Sequence, residues 1–399
     1  MERRTKVLEY FQFKRIVIPI LIGLGVAAFL LYNNLTEERY QLSDSADANY
    51  IWVDTNNDMV QDIDEFINVE RGTGLYKKMT YRDVLAEVSW QKYSVVWIFM
   101  SILLMLIRDF AYMLRLRILT EKTLSWKQCF QSIMLWEFAS AVTPSVVGGS
   151  AVAIFILNKE GLSTGKSTAI VMVTAFLDEL FYIIMVPLVF LIAGISEVFP
   201  KNSDYIIFNS YIGIEGFFII GYSFILILTT FIIYAIFINP KGFKKLLLYI
   251  FRLPFLRRWQ RGAEKTGDDL IETSREMKKK PLLFWFKAFG ATFLSWTARF
   301  WVVNCLIMVF ITVNSHFLIY ARQLIMWVII LIAPTPGSSG IAELVFSDFL
   351  RDFISIGFSP AIALLWRLIS YYPYLFIGFI ILPHWLKRVM KKKETLPAN

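Results

Sequence analysis

Eight charged side chains lie inside stretches of the sequence that are otherwise long and apolar. Each would cost at least about 2.5–3.5 kcal/mol at the centre of a bilayer, so we expect them to face the protein interior. There a guanidinium group can bind phosphate oxygens, whereas a carboxylate can hold a cation, carry a proton or pair with an arginine. The eight residues are Arg108, Asp109, Glu137, Asp178, Glu179, Arg299, Glu343 and Arg367.

The arginines differ in their expected roles. Arg299 and Arg367 are the strongest candidates for phosphate ligands. Arg108 lies nearer the end of its apolar stretch, where a long side chain can extend to the membrane surface instead. For every one of the eight residues, an internal salt bridge is the structural alternative to a binding role. Arg322 and Asp352 are expected near a membrane face and in contact with water.

Two of the apolar stretches are interrupted by proline and glycine, at TPSVVGG (143–149) and PTPGSSG (334–340). These residues break helices, and a new helix starting at each break would begin inside the membrane. The N–H groups at such a helix start attract anions. The candidate binding residues are Pro144, Ser145, Gly148, Gly149 and Ser150 at the first break, and Pro336, Gly337, Ser338, Ser339 and Gly340 at the second.

The helices after the breaks are too short to cross a bilayer. Residues 148–159 rise only about 18 Å at 1.5 Å per residue, whereas the hydrocarbon core is about 30 Å thick. Each interrupted segment, 125–158 and 319–350, is therefore either one broken span or a re-entrant hairpin.

Three features recur in register along the chain. Pro144 and Pro336 are 192 residues apart, Arg108 and Arg299 are 191 apart, and Asp178 is 189 residues before the charged Arg367. This spacing predicts an internal repeat of a span, a broken hairpin and a second span. A duplication that is retained only for packing is the alternative.

Composition and charge complete the predicted architecture. The 399 residues are 56% apolar, and several runs exceed the ~18 apolar residues that mark a membrane span. Segment 33–92 holds twelve acids and six bases, whereas segment 238–281 holds twelve bases and five acids. Basic segments are cytoplasmic as a rule. With a cytoplasmic N-terminus, the acidic segment lies outside and the basic segment lies inside only if the two broken segments are re-entrant. The hairpins then enter from opposite sides, which makes the repeat inverted, as in many secondary transporters.

The predicted fold class is an all-α polytopic membrane protein with about six full transmembrane helices, two re-entrant broken-helix hairpins and an inverted repeat. Both termini are expected in the cytoplasm, and the first span is expected to be uncleaved. Full spans are predicted at 16–32, 94–115, 165–195, 211–237, 283–312 and 357–383. The domains are a first helix (1–32), an acidic outer loop (33–92), repeat 1 (93–195), a connecting helix with a basic cytoplasmic segment (196–282), repeat 2 (283–383) and a basic tail (384–399).

Two segments outside the hairpins have patterns of their own. Residues 242–261 (GFKKLLLYIFRLPFLRRWQR) combine apolar and basic residues. They predict an amphipathic helix on anionic lipid or, alternatively, a basic loop that only sets orientation. Five oxygen-bearing residues in the outer loop have the spacing of a calcium loop, although Met59 stands where such loops have glycine. A solvated acidic loop is the alternative. The five residues are Asp54, Asn56, Asp58, Asp62 and Glu65.

Four stretches resemble the lysylphosphatidylglycerol synthase transmembrane, or flippase-like, family. They are LRLRILTEKTLSW (114–126), TPSVVGGSAV (143–152), ILNKEGLS (156–163) and PTPGSSGIAE (334–343). The resemblance covers residues 95–385 and implies a lipid translocator of a bacterial or archaeal cytoplasmic membrane. The positions that match the family pattern are Pro144, Gly148, Gly149, Pro334, Pro336, Gly337, Gly340 and Glu343.

The namesake proteins move aminoacylated phosphatidylglycerol outward and carry a soluble aminoacyltransferase domain after this region. We expect no such domain after Pro383, and therefore no enzyme and no cofactor other than Ca²⁺ in the outer loop. The expected function is translocation of an anionic or aminoacylated phospholipid, or of a polyprenyl-phosphate-linked lipid. A small-anion secondary transporter, a membrane-embedded transferase and a non-transporting scaffold are the alternatives. The expected partners are anionic membrane lipids and not nucleic acid, with homo-oligomer formation left open.

Overall fold

The computed structural model describes residues 32, 39–43, 48–55, 65–79, 92–143, 145–200, 204–207, 210–252, 260–333, 335, 337–354 and 359–394. Of residues 145–148 it describes the backbone only. The first predicted span, 16–32, lies outside this part of the chain except for Tyr32.

Helices dominate the described residues. They are α1 (Ser94–Leu119), α2 (Trp126–Val142), α3 (Ser145–Lys159), α4 (Thr164–Ala193), α5 (Ile195–Val198), α6 (Ile214–Ile233), α7 (Pro240–Ile250), α8 (Gln260–Lys278), α9 (Leu282–Met308), α10 (His316–Leu331), α11 (Ile341–Leu350), α12 (Ser359–Ser370) and α13 (Tyr372–Glu394). A π-helix, Tyr234–Ile238, continues α6, and a 3-10 turn, Arg351–Phe353, follows α11.

Five helical segments within the described residues are long and apolar enough to cross a membrane. They are Ser94–Leu119, Thr164–Ala193, Ile214–Ile238, Leu282–Met308 and Ala361–Val389. The predicted all-α polytopic membrane fold is thereby confirmed. The last span differs in detail, because α12 and α13 are separate helices that meet at Tyr371.

Local sequence signals set several helix ends. Ser125 caps α2, where its hydroxyl accepts from the Gln128 amide while the Gln128 side chain accepts from the Ser125 amide. Ser163 is the N-cap residue of α4, and its hydroxyl accepts from the Lys166 backbone amide. Gly194 ends α4 at a φ of 84°, which a side chain would disfavour. These ends leave α4 with 30 residues, enough to cross the bilayer with a tilt.

The first interrupted segment is a helical hairpin of α2 and α3. Near its open end, the Gln128 side-chain amide donates to the Glu160 carboxylate over 2.8 Å, so the hairpin begins and ends at one place. Within it the helices pack so closely that a Cβ on Gly149 would overlap Ser140. Glu160 also accepts from Trp385 at 2.6 Å and pairs with Arg388, which fastens the open end to α13.

The second interrupted segment is a hairpin of α10 and α11. Arg322, in the second turn of α10, donates to the Phe349 carbonyl at the end of α11 and pairs with Asp352 at 2.6 Å. Arg322 is 4% exposed. The expectation that this arginine is solvated was therefore wrong, because its guanidinium closes the open end of the hairpin.

The first helices of the two predicted repeats, α1 and α9, pack antiparallel along their whole length. Four side-chain contacts follow one another along the pair in antiparallel order. They run from Ser94 to the Val309 carbonyl, from Ser295 to the Arg108 carbonyl, from Arg115 to Thr292, and from Lys280 to Glu121. Equivalent helices in an inverted repeat must run in opposite directions, and these two do.

Each hairpin also packs against the last span of the other half. The helix α2 packs on α13, and α10 packs on α4. At the first of these contacts the Tyr371 hydroxyl donates to the Ala141 carbonyl over 3.0 Å. The two halves are thus interlocked around their chain breaks.

The acidic segment 33–92 contains a small sheet that the sequence did not predict. Strands β1 (Arg39–Leu42), β2 (Tyr50–Trp52), β3 (Phe66–Asn68) and β4 (Tyr76–Met79) form one antiparallel sheet in the order β1-β4-β2-β3. Its rings pack together, with Tyr40 stacked on Phe66 at 4.1 Å. A second hairpin, β5 (Asp204–Ile207) and β6 (Ser210–Gly213), precedes α6.

The basic segment that was predicted to be cytoplasmic forms two helices, α7 and α8. Residues 251–259 separate them, and of these 253–259 lie outside the described part. The predicted amphipathic helix over 242–261 is thus shorter than expected and ends at Ile250. It has no buried residue and exposes Leu246, Tyr249 and Ile250. Lys244 pairs with Asp268 at 2.6 Å and so holds α7 against α8.

Candidate functional site

A cavity of about 270 Å³ lies between the two hairpin breaks. The helices α1, α2, α3, α4, α9, α10 and α12 and the turn at Tyr371 surround it. The first break contributes Thr143 and Ser150, and the second contributes Thr335, Gly337 and Ser338. The breaks, which are far apart in the sequence, therefore face the same space.

The structure brings eight of the eighteen candidate site residues to the lining of this cavity. Those that line it are Glu137, Ser150, Asp178, Glu179, Arg299, Gly337, Ser338 and Arg367. Arg108, Gly149, Ser339, Gly340 and Glu343 are buried behind the lining. Pro144, Pro334 and Pro336 lie outside the described residues, as do the side chains at positions 145–148.

Arg108 is fully buried and supports the lining from behind. Its guanidinium pairs with Glu137 at 2.7 Å and with Asp109 at 2.8 Å. It also donates to the Tyr374 hydroxyl at 2.9 Å, and that hydroxyl donates to Asp109. The expectation that Arg108 could extend to the membrane surface was therefore wrong. Burying this charge is expensive, and two carboxylates offset the cost.

A second ion pair lines the cavity and was missed in the sequence. Arg115 binds both oxygens of Asp178, at 2.5 and 3.2 Å, and donates to Thr292 at 3.0 Å. Trp296 donates to the same Asp178 oxygen at 2.8 Å. The available signal was the spacing of seven residues from Arg108, which places both arginines on one helix face. Asp178 is thus fully engaged by cationic and neutral donors.

Arg367 holds the second chain break in shape. Its Nε donates to Glu343 at 2.8 Å and its Nη2 donates to the Gly337 carbonyl at 2.9 Å. The second oxygen of Glu343 accepts from the Gly340 amide at 2.7 Å. We expected open N–H groups at this helix start. At Gly340 that expectation was wrong, because Glu343 occupies the amide.

The turn that Arg367 stabilises has unusual backbone angles. Gly337, Ser338 and Gly340 have φ of 57°, 55° and 88°. Ser338 is not glycine, and a side chain in this region costs about 1–2 kcal/mol. At Gly337 a Cβ would also overlap the Tyr371 ring. Glycine at position 337 is therefore required both by the backbone and by the close approach of α12 and α13.

Arg299 is different from the other arginines of the site. Its guanidinium lies 4.1 Å from the centre of the Trp327 ring and 5.5 Å from that of Trp296. Within the described part of the chain it forms no ion pair, and its buried Nε has no hydrogen-bond partner. Arg299 thus presents a cation, supported by two aromatic faces, to the cavity.

Glu179 is the carboxylate counterpart of Arg299. It is 5% exposed and is the sixteenth of the 30 residues of α4, close to the middle of a membrane-spanning helix. Its Oε2 has no hydrogen-bond partner among the described residues. The cavity therefore contains a paired set of charges, Arg115 with Asp178, and two groups without ionic partners in the described structure.

Comparison with known proteins agrees with this architecture. Residues 81–378, about three quarters of the chain, match the family model of the lysylphosphatidylglycerol synthase TM region. The chain belongs to this family. The resemblance that the sequence motifs predicted is confirmed.

One curated relative extends the comparison. A "UPF0104 membrane protein" of Archaeoglobus fulgidus is 26% identical over 268 residues, which are 64% of this chain and 76% of the relative. No solved structure matches the chain. The protein is accordingly a multi-pass integral membrane protein of the lysylphosphatidylglycerol synthase TM region family.

The predicted calcium loop is only partly within the described structure. Asn56, Asp58 and Asp62 lie outside it, whereas Asp54 and Glu65 are described. The Glu65 carboxylate accepts from the Trp52 indole at 2.9 Å and from the amide and hydroxyl of Thr55 at 2.9 and 3.0 Å. Among the described residues no three His, Cys, Asp or Glu side chains are grouped to hold a metal ion. Calcium binding stays a prediction, and the Glu65 carboxylate already accepts hydrogen bonds from Trp52 and Thr55.

Proposed function

We infer that this protein moves a membrane lipid with an anionic headgroup between the leaflets, with the headgroup passing through the cavity between the two hairpins. The observation that carries the proposal is Arg299, a cavity guanidinium without an ionic partner among the described residues. A phosphate has the charge and the oxygen geometry that a guanidinium binds best. The lipid tails stay in the bilayer while the headgroup crosses.

The surroundings of Arg299 suit a phosphate more than a permanent salt bridge. The Trp327 ring, whose centre lies 4.1 Å from the guanidinium, stabilises the cation without taking up one of its N–H donors. The Thr335 hydroxyl lines the same cavity, has no hydrogen-bond partner among the described residues and can donate to a further headgroup oxygen. The Ser338 hydroxyl, in contrast, already donates to the Ile330 carbonyl.

The packing of the two halves supports movement around this cavity. The antiparallel α1 and α9, and the hairpins that each contact the other half, are what two inverted repeats would form. In such transporters one repeat moves against the other around a site at mid-membrane, which exposes that site to each side in turn. We propose the same movement here, in a cytoplasmic membrane with both termini inside.

The first experiment is native mass spectrometry of the purified protein, which reports the lipids that stay bound. We expect the wild type to retain one class of anionic lipid, and Arg299→Ala to lose it. The matched control is Arg117→Ala, since Arg117 binds the Leu124 carbonyl outside the cavity. Retention of the same lipid by Arg299→Ala would overturn the proposed site.

Reconstitution then tests movement. Vesicles that contain fluorescent phosphatidylglycerol are treated with dithionite, which bleaches only the outer leaflet. We expect wild-type protein to make the inner-leaflet dye accessible and Arg299→Ala to do so at least tenfold more slowly. If glycerol phosphate is taken up while the labelled lipid does not move, the protein is instead a transporter of small anions.

A further inference from the structure

The second group without an ionic partner in the cavity, Glu179, has no role in headgroup binding by itself. Its neighbour Asp178 is engaged by Arg115 and Trp296, so it repels Glu179 less than a bare carboxylate would. Glu179 is nevertheless 5% exposed, and its Oε2 is buried without a hydrogen-bond partner among the described residues. A charge in such a position costs far more than a neutral carboxyl group does.

Several elements that line the cavity around Glu179 carry polar or charged side chains. The helix α1 contributes Tyr112 and Arg115, α2 contributes Glu137, α9 contributes Arg299, α13 contributes Tyr374, and α4 itself contributes Asp178 and Tyr182; α3 and α10 contribute the neutral Ser150 and Trp327. The helix α12 contributes Arg367, which is paired with Glu343. Arg115 is paired with Asp178 and Glu137 is paired with Arg108. The remaining ionic groups of the cavity are therefore Arg299 and Glu179.

An anionic headgroup on Arg299 would share this cavity with the Glu179 carboxylate. Two negative charges in one poorly solvated space disfavour each other, and a proton on one of them removes the conflict. The proton comes from the aqueous solution and adds to a carboxylate oxygen, with no other bond made or broken. Because linkage is reciprocal, a bound headgroup favours the proton as much as the proton favours the headgroup.

We propose that Glu179 is a proton-binding site, which takes up one proton when the anionic headgroup binds, so that lipid movement is coupled to proton movement. This proposal rests on the function inferred above and adds its energy source. It separates the two charged residues by role: Arg299 binds the anion, and Glu179 binds the proton that accompanies it.

The test measures proton uptake and binding together. Purified protein in weak buffer with a soluble pH-sensitive dye is titrated with dihexanoyl-phosphatidylglycerol. The titration is repeated at several pH values. Where the carboxyl group is ionised in the empty cavity, we expect the wild type to take up about one proton per bound lipid and its affinity to fall about tenfold per pH unit; at lower pH, where the group is already protonated, we expect no uptake. Glu179→Gln should bind the lipid with no proton uptake and with an affinity independent of pH.

Glu160→Gln is the matched control, because Glu160 is a buried glutamate outside the cavity that is paired with Arg388. It should show the proton uptake of the wild type. Wild-type binding without proton uptake would overturn the proton site and leave the proposed lipid site intact. Proton uptake that persists in Glu179→Gln would equally overturn it.

Failure to bind phosphatidylglycerol would count against the proposed lipid movement and not against the proton site. A second measurement then tests the proton site at Glu179 directly. The infrared spectrum of the wild type minus that of Glu179→Gln isolates the C=O stretch of a protonated carboxyl group. A band that disappears as the pH rises supports a proton site at Glu179. A carboxylate that is ionised over the whole pH range overturns it.

Discussion

The ion pair of Arg367 and Glu343 should stabilise the fold, whereas Arg299 should matter for binding. Both Arg367 and Glu343 were candidates for headgroup contact, and both are held in the second chain break. Replacement of Glu343 by Ala leaves the Arg367 guanidinium, 5% exposed, without its carboxylate and leaves the Gly340 amide without an acceptor. Loss of one partner from a buried pair costs about 3–5 kcal/mol, and we expect that loss in the free energy of unfolding.

Graded variants make the prediction sharper. Glu343→Gln keeps the shape and one acceptor, so its cost should be smaller, about 1–3 kcal/mol. Arg299→Ala removes only ring contacts, worth about 0.5–2 kcal/mol, because no ion pair of Arg299 is present in the described structure. The order of destabilisation is therefore Glu343→Ala, then Glu343→Gln, then Arg299→Ala.

The assay is reversible unfolding in mixed micelles by titration with sodium dodecyl sulfate, followed by tryptophan fluorescence. The same samples are examined for bound lipid by native mass spectrometry. A double-mutant cycle with Arg367→Ala isolates the coupling between the paired side chains. The reasoning is refuted if Glu343→Ala costs less than about 1 kcal/mol, or if Arg299→Ala is the most destabilised of the three.

Three further predictions concern packing and the buried charges. Arg108→Leu leaves two carboxylates without their cation and should lower the free energy of unfolding by about 3–5 kcal/mol in the same titration. A loss smaller than that caused by replacing an exposed lysine with leucine would contradict the ion pairs assigned to Arg108. Gly149→Leu should prevent α2 and α3 from packing and reduce the yield of monodisperse protein in size-exclusion chromatography, whereas Gly290→Leu, where a Cβ meets nothing within 4 Å, should not. Glu160→Gln should weaken the attachment of α13 and speed limited trypsin cleavage near Arg388, and unchanged cleavage would show that the contact is dispensable.

The sequence was most informative where hydropathy and helix breakers act locally. Long apolar runs require helices, because no water is present to satisfy an open backbone. The breaks at 143–149 and 334–340 were visible because proline and glycine have strong local effects. The β-sheet of residues 39–79 was missed, since its short strands of three or four residues carry little periodicity.

The partners of the charged residues were harder to predict. A sequence shows that Arg108, Arg322 and Arg367 are present, but each finds its acceptor on a helix or chain break that only the tertiary fold brings close. Arg322 reaches the Phe349 carbonyl and Arg367 reaches that of Gly337, and backbone carbonyls carry no signal in the sequence. Arg299 and Glu179 can be recognised as lacking ionic partners in the described structure only once all the other ion pairs are known.

The separation of the ionic partners along the chain has a consequence for biosynthesis. Arg108 meets Glu137 after 29 residues and Arg115 meets Asp178 after 63, whereas Tyr374 follows Arg108 by 266 residues. At about 5–20 residues per second, Glu137 emerges about 1.5–6 s after Arg108, whereas the tyrosine emerges only after about 13–53 s. Asp109 and Glu137 can therefore neutralise Arg108, and Asp178 can neutralise Arg115, while the ribosome is still producing the second half. A nascent chain that lacked Asp178 would hold Arg115 at the translocon without its carboxylate through the rest of its synthesis.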